Sequence, residues 1–451
     1  MKRKIFGIGI IILFLLVGIN GIFIWQKKEK TEELDPDYIE FITKEEMDKK
    51  GHVTVDERYR SEYSVGFNNK DGTKTVYVFS SPIYYRDREE NLVMIDTRLK
   101  KIGKNENTEY IYESADNDIK TKFPEMFLNN NKIAISKDLT YGVRPISDTE
   151  KAVYCVEENF IQKKREMLKY RGMDCNLYKF YPSSLGVNCE VEIEKEKENS
   201  LSFYIDLGEQ GGVYPVPEGL DYITLQDDNG GILGVIQKPL LKYPNKSIKC
   251  DMNYEINYQQ NGRYQITFKS KETFPKGTVA FVSFEMRRKK QADNGIYSKF
   301  PDLTNNYLSN YIVVGKSNLY GIGKMLWRCE TLNDVLSQDG KNMEKAFLDF
   351  YDLSPKVSSI FSVHQMKEKW CSIRGNWNKK YSVGEKIFET ESTDSVIKVD
   401  LSNKIKNWID SKEECEKGIV LEESTKSSQH IILSNDNSLF QTKVEILMRG
   451  E

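Results

Sequence analysis

The sequence is poor in histidine, the side chain that titrates closest to neutral pH. It contains only three histidines, His52, His364 and His430, so a mechanism that uses imidazole has few candidates. No two cysteines follow the Cys-x-x-Cys spacing of common zinc sites. We therefore predict no metal site and no cofactor for this chain.

Short catalytic motifs are also missing. The sequence has no Gly-x-Ser-x-Gly element, phosphate-binding loop, dinucleotide-binding fingerprint or His-Glu-x-x-His element. Cys371 and His364 could act as a nucleophile and its base, but a histidine in a strand is more often structural. We predict that the protein has no catalytic residues and is not an enzyme.

Neither sign of charge is in large excess. The 451 residues include 66 Lys and Arg against 68 Asp and Glu, so the basic stripe that nucleic-acid binding requires is not expected. The odd number and irregular spacing of the cysteines do not indicate a disulfide framework, and we predict mainly buried free thiols. One or two disulfides stay open if the chain is extracellular. The cysteines are Cys155, Cys175, Cys189, Cys250, Cys329, Cys371 and Cys415.

One long apolar run is present, at residues 5–25, and it contains no charged residue. As a helix it would be about 31 Å long, enough to cross a hydrocarbon core of about 30 Å. We predict an uncleaved signal anchor, because a cleaved signal peptide would have a shorter apolar region and an Ala-x-Ala-like site. Residues 1–4 would be cytoplasmic and residues 26–60, which are rich in charge, would form a stalk. Lysines on both sides of the run leave the orientation open on charge alone.

From residue 61 onward the pattern is that of an all-β chain. Apolar and polar residues alternate over 187–194 and 201–207, which predicts strands with one core face. Asn229-Gly230 and Asn261-Gly262 lie between such runs and predict hairpins. Residues 160–172 have a weak helix-like spacing. Ser402 is a plausible N-cap for a short helix with Ile405, Trp408 and Ile409 on one face.

The C-terminal part carries a family resemblance. Its residues are Phe350-Tyr351-Asp352-Leu353-Ser354, the strand Ile360–Met366, Trp370 and Asn376-Trp377-Asn378. Together they resemble the DNRLRE domain, an extracellular β-sandwich classed among carbohydrate-binding modules. The resemblance implies a jelly-roll-like sandwich over residues 291–451.

The preceding part resembles another family. The residues are Pro82–Asp87, Met94-Ile95-Asp96, Tyr178–Pro182 and Leu201-Ser202-Phe203. They are similar to the β-rich N-terminal region of bacterial wall-associated Rhs/YD-repeat proteins, in which such a region precedes a DNRLRE domain. We divide it into β-rich segments 61–150 and 151–290. This wall-type resemblance favours a cytoplasmic N-terminus and an extracellular C-terminal part, on the cell membrane of a bacterium.

The resemblance to the DNRLRE domain implies non-catalytic binding of a polysaccharide or cell-wall glycan. A sugar ring stacks its C–H face on an aromatic side chain, and the weak candidates for this role are Trp327, Tyr320, Tyr351 and Tyr381. The patterns around Trp370, Trp377 and Trp408 are typical of core positions. A surface protein that binds a protein partner is the alternative, and a polysaccharide-cleaving enzyme is a weaker one. The oligomeric state stays open.

Overall fold

The computed structural model describes residues 42, 44–102, 109–128, 130–137, 139–196, 199–208, 212–218, 220–286, 292–304, 306–354, 358–392, 394–435, 437 and 439–450. The predicted cytoplasmic end 1–4 and transmembrane segment 5–25 lie outside these residues, as do residues 26–41 and 43 of the predicted stalk. None of the helices in the described ranges is long and apolar enough to cross a membrane.

The described chain is all-β, as predicted, with short helices between strands. The strands are β1 His52–Ser61, β2 Ser64–Asn69, β3 Lys74–Phe79, β4 Tyr84–Arg86, β5 Leu92–Met94, β6 Asp96–Lys101, β7 Tyr110–Asp116, β8 Lys120–Pro124, β9 Ile133–Ser136, β10 Thr140–Pro145, β11 Val153–Glu158, β12 Lys164–Arg171, β13 Leu177–Ser183, β14 Gly186–Glu192, β15 Ser200–Asp206, β16 Val213–Glu218 and β17 Tyr222–Asp227. They continue with β18 Ile232–Gln237, β19 Leu240–Lys242, β20 Ile248–Lys249, β21 Asn253–Gln260, β22 Arg263–Lys269, β23 Val279–Met286, β24 Ala292–Tyr297, β25 Tyr311–Ser317, β26 Gly321–Arg328, β27 Met343–Tyr351, β28 Ser359–Met366, β29 Val383–Ser392, β30 Val396–Asp400, β31 Ile419–Glu423, β32 Gln429–Leu433 and β33 Lys443–Met448. The helices are α1 Lys44–Lys50, α2 Leu332–Asp339, α3 Ser402–Asp410 and α4 Lys412–Lys417, with short 3-10 turns at Gly340–Asn342, Ser372–Arg374 and Trp377–Lys379.

Two antiparallel sheets form a first sandwich. Sheet I has the strand order β21-β22-β15-β10-β9-β8-β7-β6, and sheet II has the order β11-β12-β13-β14-β23-β18-β17-β16, with β19 and β20 beside β23. Their facing sides share one apolar core, in which Phe203 of sheet I meets Phe284 of sheet II edge to face at 5.2 Å. The predicted segments 61–150 and 151–290 both contribute strands to this sandwich and share its one core.

A second sandwich takes strands from both ends of the described chain. Sheet III has the order β1-β2-β3-β33-β27-β30, and sheet IV has the order β29-β28-β31-β26-β25-β32, with β24 beside β26. Strand β3 pairs with β33 from Val76↔Ile446 to Val78↔Val444. The second sandwich therefore extends beyond the predicted range 291–451, and β1 occupies residues that the sequence assigned to the stalk.

The outer face of sheet II packs against the outer face of sheet IV. Their shared cluster includes Met167, Tyr181 and Phe281 from sheet II with Tyr311 and Val313 from sheet IV. Sheet II is thus covered on both sides. Its strands therefore carry buried side chains on both faces. A strand buried on both faces has a continuous apolar run in place of an alternating pattern.

Local predictions can be compared directly with these elements. The hairpins at Asn229-Gly230 and Asn261-Gly262 are confirmed, because they join β17 to β18 and β21 to β22. The helix after Leu401 is also confirmed, with Ile405 and Trp408 buried on one face. Ser402 is not its N-cap, because Leu401 holds that position and the Ser402 hydroxyl accepts from the Ala346 amide instead. The helix-like reading of residues 160–172 is wrong. Strand β12 lies there, and its adjacent Met167 and Leu168 point into two different cores.

Candidate functional site

Two of the predicted site residues lie inside the protein. Trp327 is 1% exposed and sits in the core of the second sandwich, edge to face with Phe350 at 6.2 Å. Tyr320 is also 1% exposed and lies between the two sandwiches, where its hydroxyl donates to Asp221. A sugar ring at the surface cannot stack on either side chain. In the structure both residues support packing rather than binding.

The other two predicted residues are half-buried. Tyr351 packs against Phe440, with 5.0 Å between the ring centroids, as part of the cluster that joins the sandwiches. Tyr381 borders a small surface cavity on the outer face of sheet IV. The structure therefore places Tyr381 beside an open cavity.

An apolar row crosses sheet IV beneath this cavity. Leu326 pairs with Val420, and Met366 pairs with Val383. Ile296 pairs with Lys324, two residues before Leu326 on the same strand. The neighbours of Leu326 and Val420 along their strands lie in the core of the second sandwich, because side chains alternate along a strand. The row is partly covered by residues 367–382, which fold back over the sheet.

Residues 367–382 are held to sheet IV by side chains from the neighbouring strands. The Asn294 amide donates to the carbonyl oxygens of Ser372 at 2.8 Å and Gly375 at 3.1 Å. A Cβ at position 375 would lie 2.5 Å from Asn294 Nδ2, so any larger residue there would displace the Asn294 amide. Arg328 donates to the carbonyl oxygen of Trp370 at 2.7 Å and lies over its ring.

The turn that carries Trp377 is fixed separately. The Asn376 side chain accepts a hydrogen bond from the Lys379 amide at 3.1 Å, which begins the turn Trp377–Lys379. The Asn378 amide nitrogen Nδ2 donates to Asp302 Oδ1 at 2.6 Å. The backbone of the turn that carries Trp377 is thus fixed by local hydrogen bonds.

We call the resulting cavity the aromatic shelf. Its volume is about 160 Å³. Its floor is the apolar row, and its rim consists of two aromatic and two cationic side chains. The residues that border it are Ile296, Lys324, Leu326, Met366, Trp377, Lys380, Tyr381, Val383 and Val420.

The charges at the rim are already partly paired. Lys324 Nζ lies 5.9 Å from the centre of the Trp377 ring and 2.6 Å from Glu422 Oε2. His364 Nε2 lies 3.4 Å from the other oxygen of the same carboxylate. Burial raises the pKa of Tyr381, whose hydroxyl oxygen is itself buried, so the polar groups that border the cavity are the two lysines. The shelf therefore combines ring faces with a few hydrogen-bonding groups.

Comparison with known proteins finds no family model that matches the chain and no similar curated protein. The resemblance to the DNRLRE domain stays a prediction that rests on the quoted residues. Function must be argued from the geometry of the shelf itself.

That geometry suits contact with one small group. Ligand sites for whole small molecules usually enclose about 300–1,000 Å³, whereas the shelf encloses about 160 Å³. It offers ring faces, an apolar floor and two lysine side chains, and among the described residues no group of three His, Cys, Asp or Glu side chains could hold a metal ion. The chemistry available is stacking and hydrogen bonding.

Trp377 is the residue of the shelf that sequence reasoning did not identify. The sequence predicts Trp370, Trp377 and Trp408 as core residues. Trp370 and Trp408 are buried, whereas Trp377 is only partly buried. The signal available was its surroundings. Asn376 and Asn378 are turn-forming residues, and a tryptophan between them is placed on a turn rather than on a strand.

The second sandwich contains a buried row of three polar side chains in the order Asp, His, Ser. His430 Nδ1 lies 2.7 Å from Asp352 Oδ2, and Nε2 lies 2.9 Å from Ser359 Oγ. These distances match those of a hydrolase triad. Ser359 is only 3% exposed, however, so its hydroxyl cannot meet a substrate in this structure. We interpret the row as a structural link between β27, β28 and β32.

Proposed function

We propose that the protein is a non-catalytic surface protein that binds a polysaccharide or cell-wall glycan at the aromatic shelf. The observation that supports this most is the pair Trp377 and Tyr381, which border an apolar floor with their rings half-exposed. A pyranose ring has an apolar C–H face that packs on such a ring, while its hydroxyl groups bond to the polar rim.

The size of the shelf defines the kind of contact. A cavity of about 160 Å³ accommodates one sugar ring rather than a long segment. Stacking on one aromatic ring adds about 0.5–1.5 kcal/mol beyond the area that it buries, so a single contact is weak. Binding at a dense polymer surface compensates for this, because attachment to the same envelope raises the effective concentration of both partners.

The setting of this activity belongs to the same proposal. A signal anchor at residues 5–25 would hold the two sandwiches outside the cell membrane, with the shelf on a jelly-roll-like module similar to the DNRLRE domain. The support is the apolar run in the sequence and the all-β architecture of the described residues.

The experiment that tests the proposal measures binding of the full chain, in detergent, to purified bacterial cell walls and to a glycan array. Trp377→Ala and Tyr381→Ala remove the two rings. Tyr258→Ala is the matched control, because Tyr258 is 62% exposed and lies on the first sandwich, away from the shelf. We expect each shelf variant to lose at least about tenfold in affinity, which corresponds to about 1.4 kcal/mol, while the control binds normally.

The alternative is a protein partner whose apolar side chain fills the shelf. The apolar floor favours this alternative over an enzyme, since burial of an apolar side chain is worth about 1.5–3 kcal/mol. Binding to a protein of the envelope that is lost in Trp377→Ala, together with no binding to any glycan by the folded protein, would replace the proposed function with this one.

A further inference from the structure

A much larger cavity lies on the first sandwich, on the outer face of sheet I. Its volume is about 770 Å³, which is within the range of sites that enclose a whole ligand. We call it the polar groove. Its lining is almost entirely polar or charged: Asn130, Lys132, Arg144, Ile146, Asp148, Tyr204, Asp206, Gly208, Gln259, Gln260, Asn261 and Arg263.

Strand register brings the central residues of the polar groove together. Arg144 of β10 pairs with Tyr204 of β15, and Asp206 of β15 pairs with Arg263 of β22. Each of these residues alternates with a core residue such as Phe203 or Ile205, so all four side chains lie on the same outer face. The groove is thus built on strands, which position side chains more rigidly than loops do.

One glycine allows a cation to cross the sheet. Lys132 precedes β9 and Asp206 lies on β15, with β10 between them. At the crossing point β10 has Gly142, and a Cβ there would overlap Lys132 Cδ and Cγ. Because glycine has no side chain at this position, the Lys132 ammonium reaches Asp206 Oδ2 at 2.9 Å.

The cations of the polar groove are bonded to its own carboxylates. Asp206 accepts from Lys132 at 2.9 Å and from Arg263 at 3.4 Å, and Arg144, which is 4% exposed, donates to Asp148 at 2.8 Å. Burial by itself would raise the pKa of Asp206, but the hydrogen bond and charge of Lys132 lower it below the ordinary value. The carboxylate therefore stays charged and acts as a fixed acceptor.

The groove also provides a ring face and amides. The Arg263 guanidinium lies 5.7 Å from the centre of the half-exposed Tyr204 ring. Gln259, Gln260 and Asn261, at the exposed end of the β21–β22 hairpin, each offer both donors and an acceptor. Ring, amides and ion pairs together match a ligand that is rich in hydroxyl groups.

We propose that the polar groove binds a segment of a neutral, hydroxyl-rich saccharide, as a second site separate from the aromatic shelf. A hydroxyl group both donates and accepts, so it can bridge a paired carboxylate and guanidinium without breaking the pair. The choice of a saccharide rests on the proposed function of the shelf. The cavity, the ion pairs that line it and its preference for a neutral polar ligand do not depend on that proposed function.

A neutral ligand is favoured over a polyanion for a specific reason. A polyanion would need free cations, and Lys132 and Arg263 are bonded to Asp206 while Arg144 is bonded to Asp148. Binding of a neutral saccharide does not release counterions, so it should be nearly independent of salt concentration. Binding of a polyanion should weaken steeply as salt increases.

The test uses titration calorimetry with the full chain and soluble neutral oligosaccharides of six residues, namely those of cellulose, starch, chitin and xylan, together with the neutral members of a glycan array. Tyr204→Ala removes the ring, and Tyr204→Phe retains it. Tyr258→Ala is the control, because Tyr258 is an exposed tyrosine on the same hairpin that does not line the groove. Gly142→Ala is a second groove variant, which displaces Lys132 from Asp206 and leaves the ring in place.

We expect Tyr204→Ala to weaken binding at least tenfold, Gly142→Ala to weaken it several-fold, and Tyr204→Phe to weaken it less than Tyr204→Ala because it keeps the ring. Tyr258→Ala should bind normally, and binding should change less than twofold between 0.05 and 0.5 M salt. A folded protein that binds no neutral glycan, or binds only acidic ones with steep salt dependence, overturns the inference. Loss of binding in Trp377→Ala but not in Tyr204→Ala supports the shelf and overturns the groove. The reverse result supports the groove and removes the shelf.

Discussion

The Tyr320 hydroxyl donates a hydrogen bond of 2.6 Å to Asp221 Oδ1, and this bond joins the two sandwiches. Asp221 stands at the start of β17 in sheet II, and Tyr320 precedes β26 in sheet IV. Tyr311 donates to the same oxygen at 2.8 Å. Two buried tyrosines on the second sandwich thus share one buried carboxylate on the first, which fixes how the sandwiches meet.

Replacing Tyr320 with phenylalanine should therefore lower stability. The ring stays, but Asp221 loses one of its two tyrosine donors in a buried site, and a buried acceptor that loses a partner costs about 1–3 kcal/mol. We expect the free energy of unfolding, measured with urea, to fall by that amount. Tyr258→Phe, at an exposed position, is the control and should change stability by less than about 0.5 kcal/mol.

The charge on Asp221 should make stability depend on pH. Burial raises the pKa of Asp221 above its ordinary value of 3.8, although Lys238 and the two tyrosines partly oppose this. An acid whose pKa is higher in the folded state binds its proton more tightly when folded. Its favourable contribution is present below 3.8 and is lost as pH rises through the raised pKa.

Asp221→Asn should remove that dependence, because an amide oxygen can still accept from both tyrosines but does not titrate. We expect the difference in unfolding free energy between the variant and the natural chain to shift in favour of the variant as pH rises from about 4 upward. Urea titrations at intervals between pH 4 and pH 7 would measure it. Parallel curves for the two proteins would mean that Asp221 has the same pKa folded and unfolded.

Much of the fold could be predicted from local patterns. The alternation of Leu201, Phe203 and Ile205 indicates a strand whose other face carries Tyr204, and the Asn-Gly pairs mark true hairpins. The pairing of β3 with β33 could not be predicted, since it joins segments more than 350 residues apart. Nothing local in either strand specifies which edge it meets.

The candidate site was less accessible to sequence reasoning. Whether an aromatic residue is buried depends on what packs against the side of the sheet on which it lies, and the local sequence does not show this. Tyr320 and Trp327 are interior, whereas Trp377 is only partly buried. The polar groove has the same origin. Tyr204 and Arg263 are outward positions of two predicted strands, but only the strand order puts them side by side.

Asn294→Ala should loosen the aromatic shelf without unfolding the protein. The variant loses both bonds to the carbonyl oxygens of Ser372 and Gly375, and each such bond contributes about 0.5–1.5 kcal/mol. We expect trypsin to cleave within residues 367–382 several times faster, with a parallel loss of glycan affinity of up to about tenfold. Asn257→Ala, at an exposed position of β21, is the control. Unchanged cleavage in Asn294→Ala would show that these bonds do not order the segment.

The last prediction concerns the boundary of the second sandwich. A fragment of residues 290–451 has the family-like sequence but lacks β1, β2 and β3, which form half of sheet III. It would lose Tyr59, Val76 and Val78 from the core and expose the edge of β33, and unpaired strand edges promote association. We expect this fragment to aggregate or to melt without cooperativity.

The matched fragment of residues 44–451 retains every strand of both sandwiches. It should unfold in a cooperative transition, followed by circular dichroism during heating. If residues 290–451 alone instead gave a monomer with a cooperative all-β melt, the pairing of β3 with β33 would be dispensable. The N-terminal strands would then be an addition to an independently stable module rather than part of its sheet.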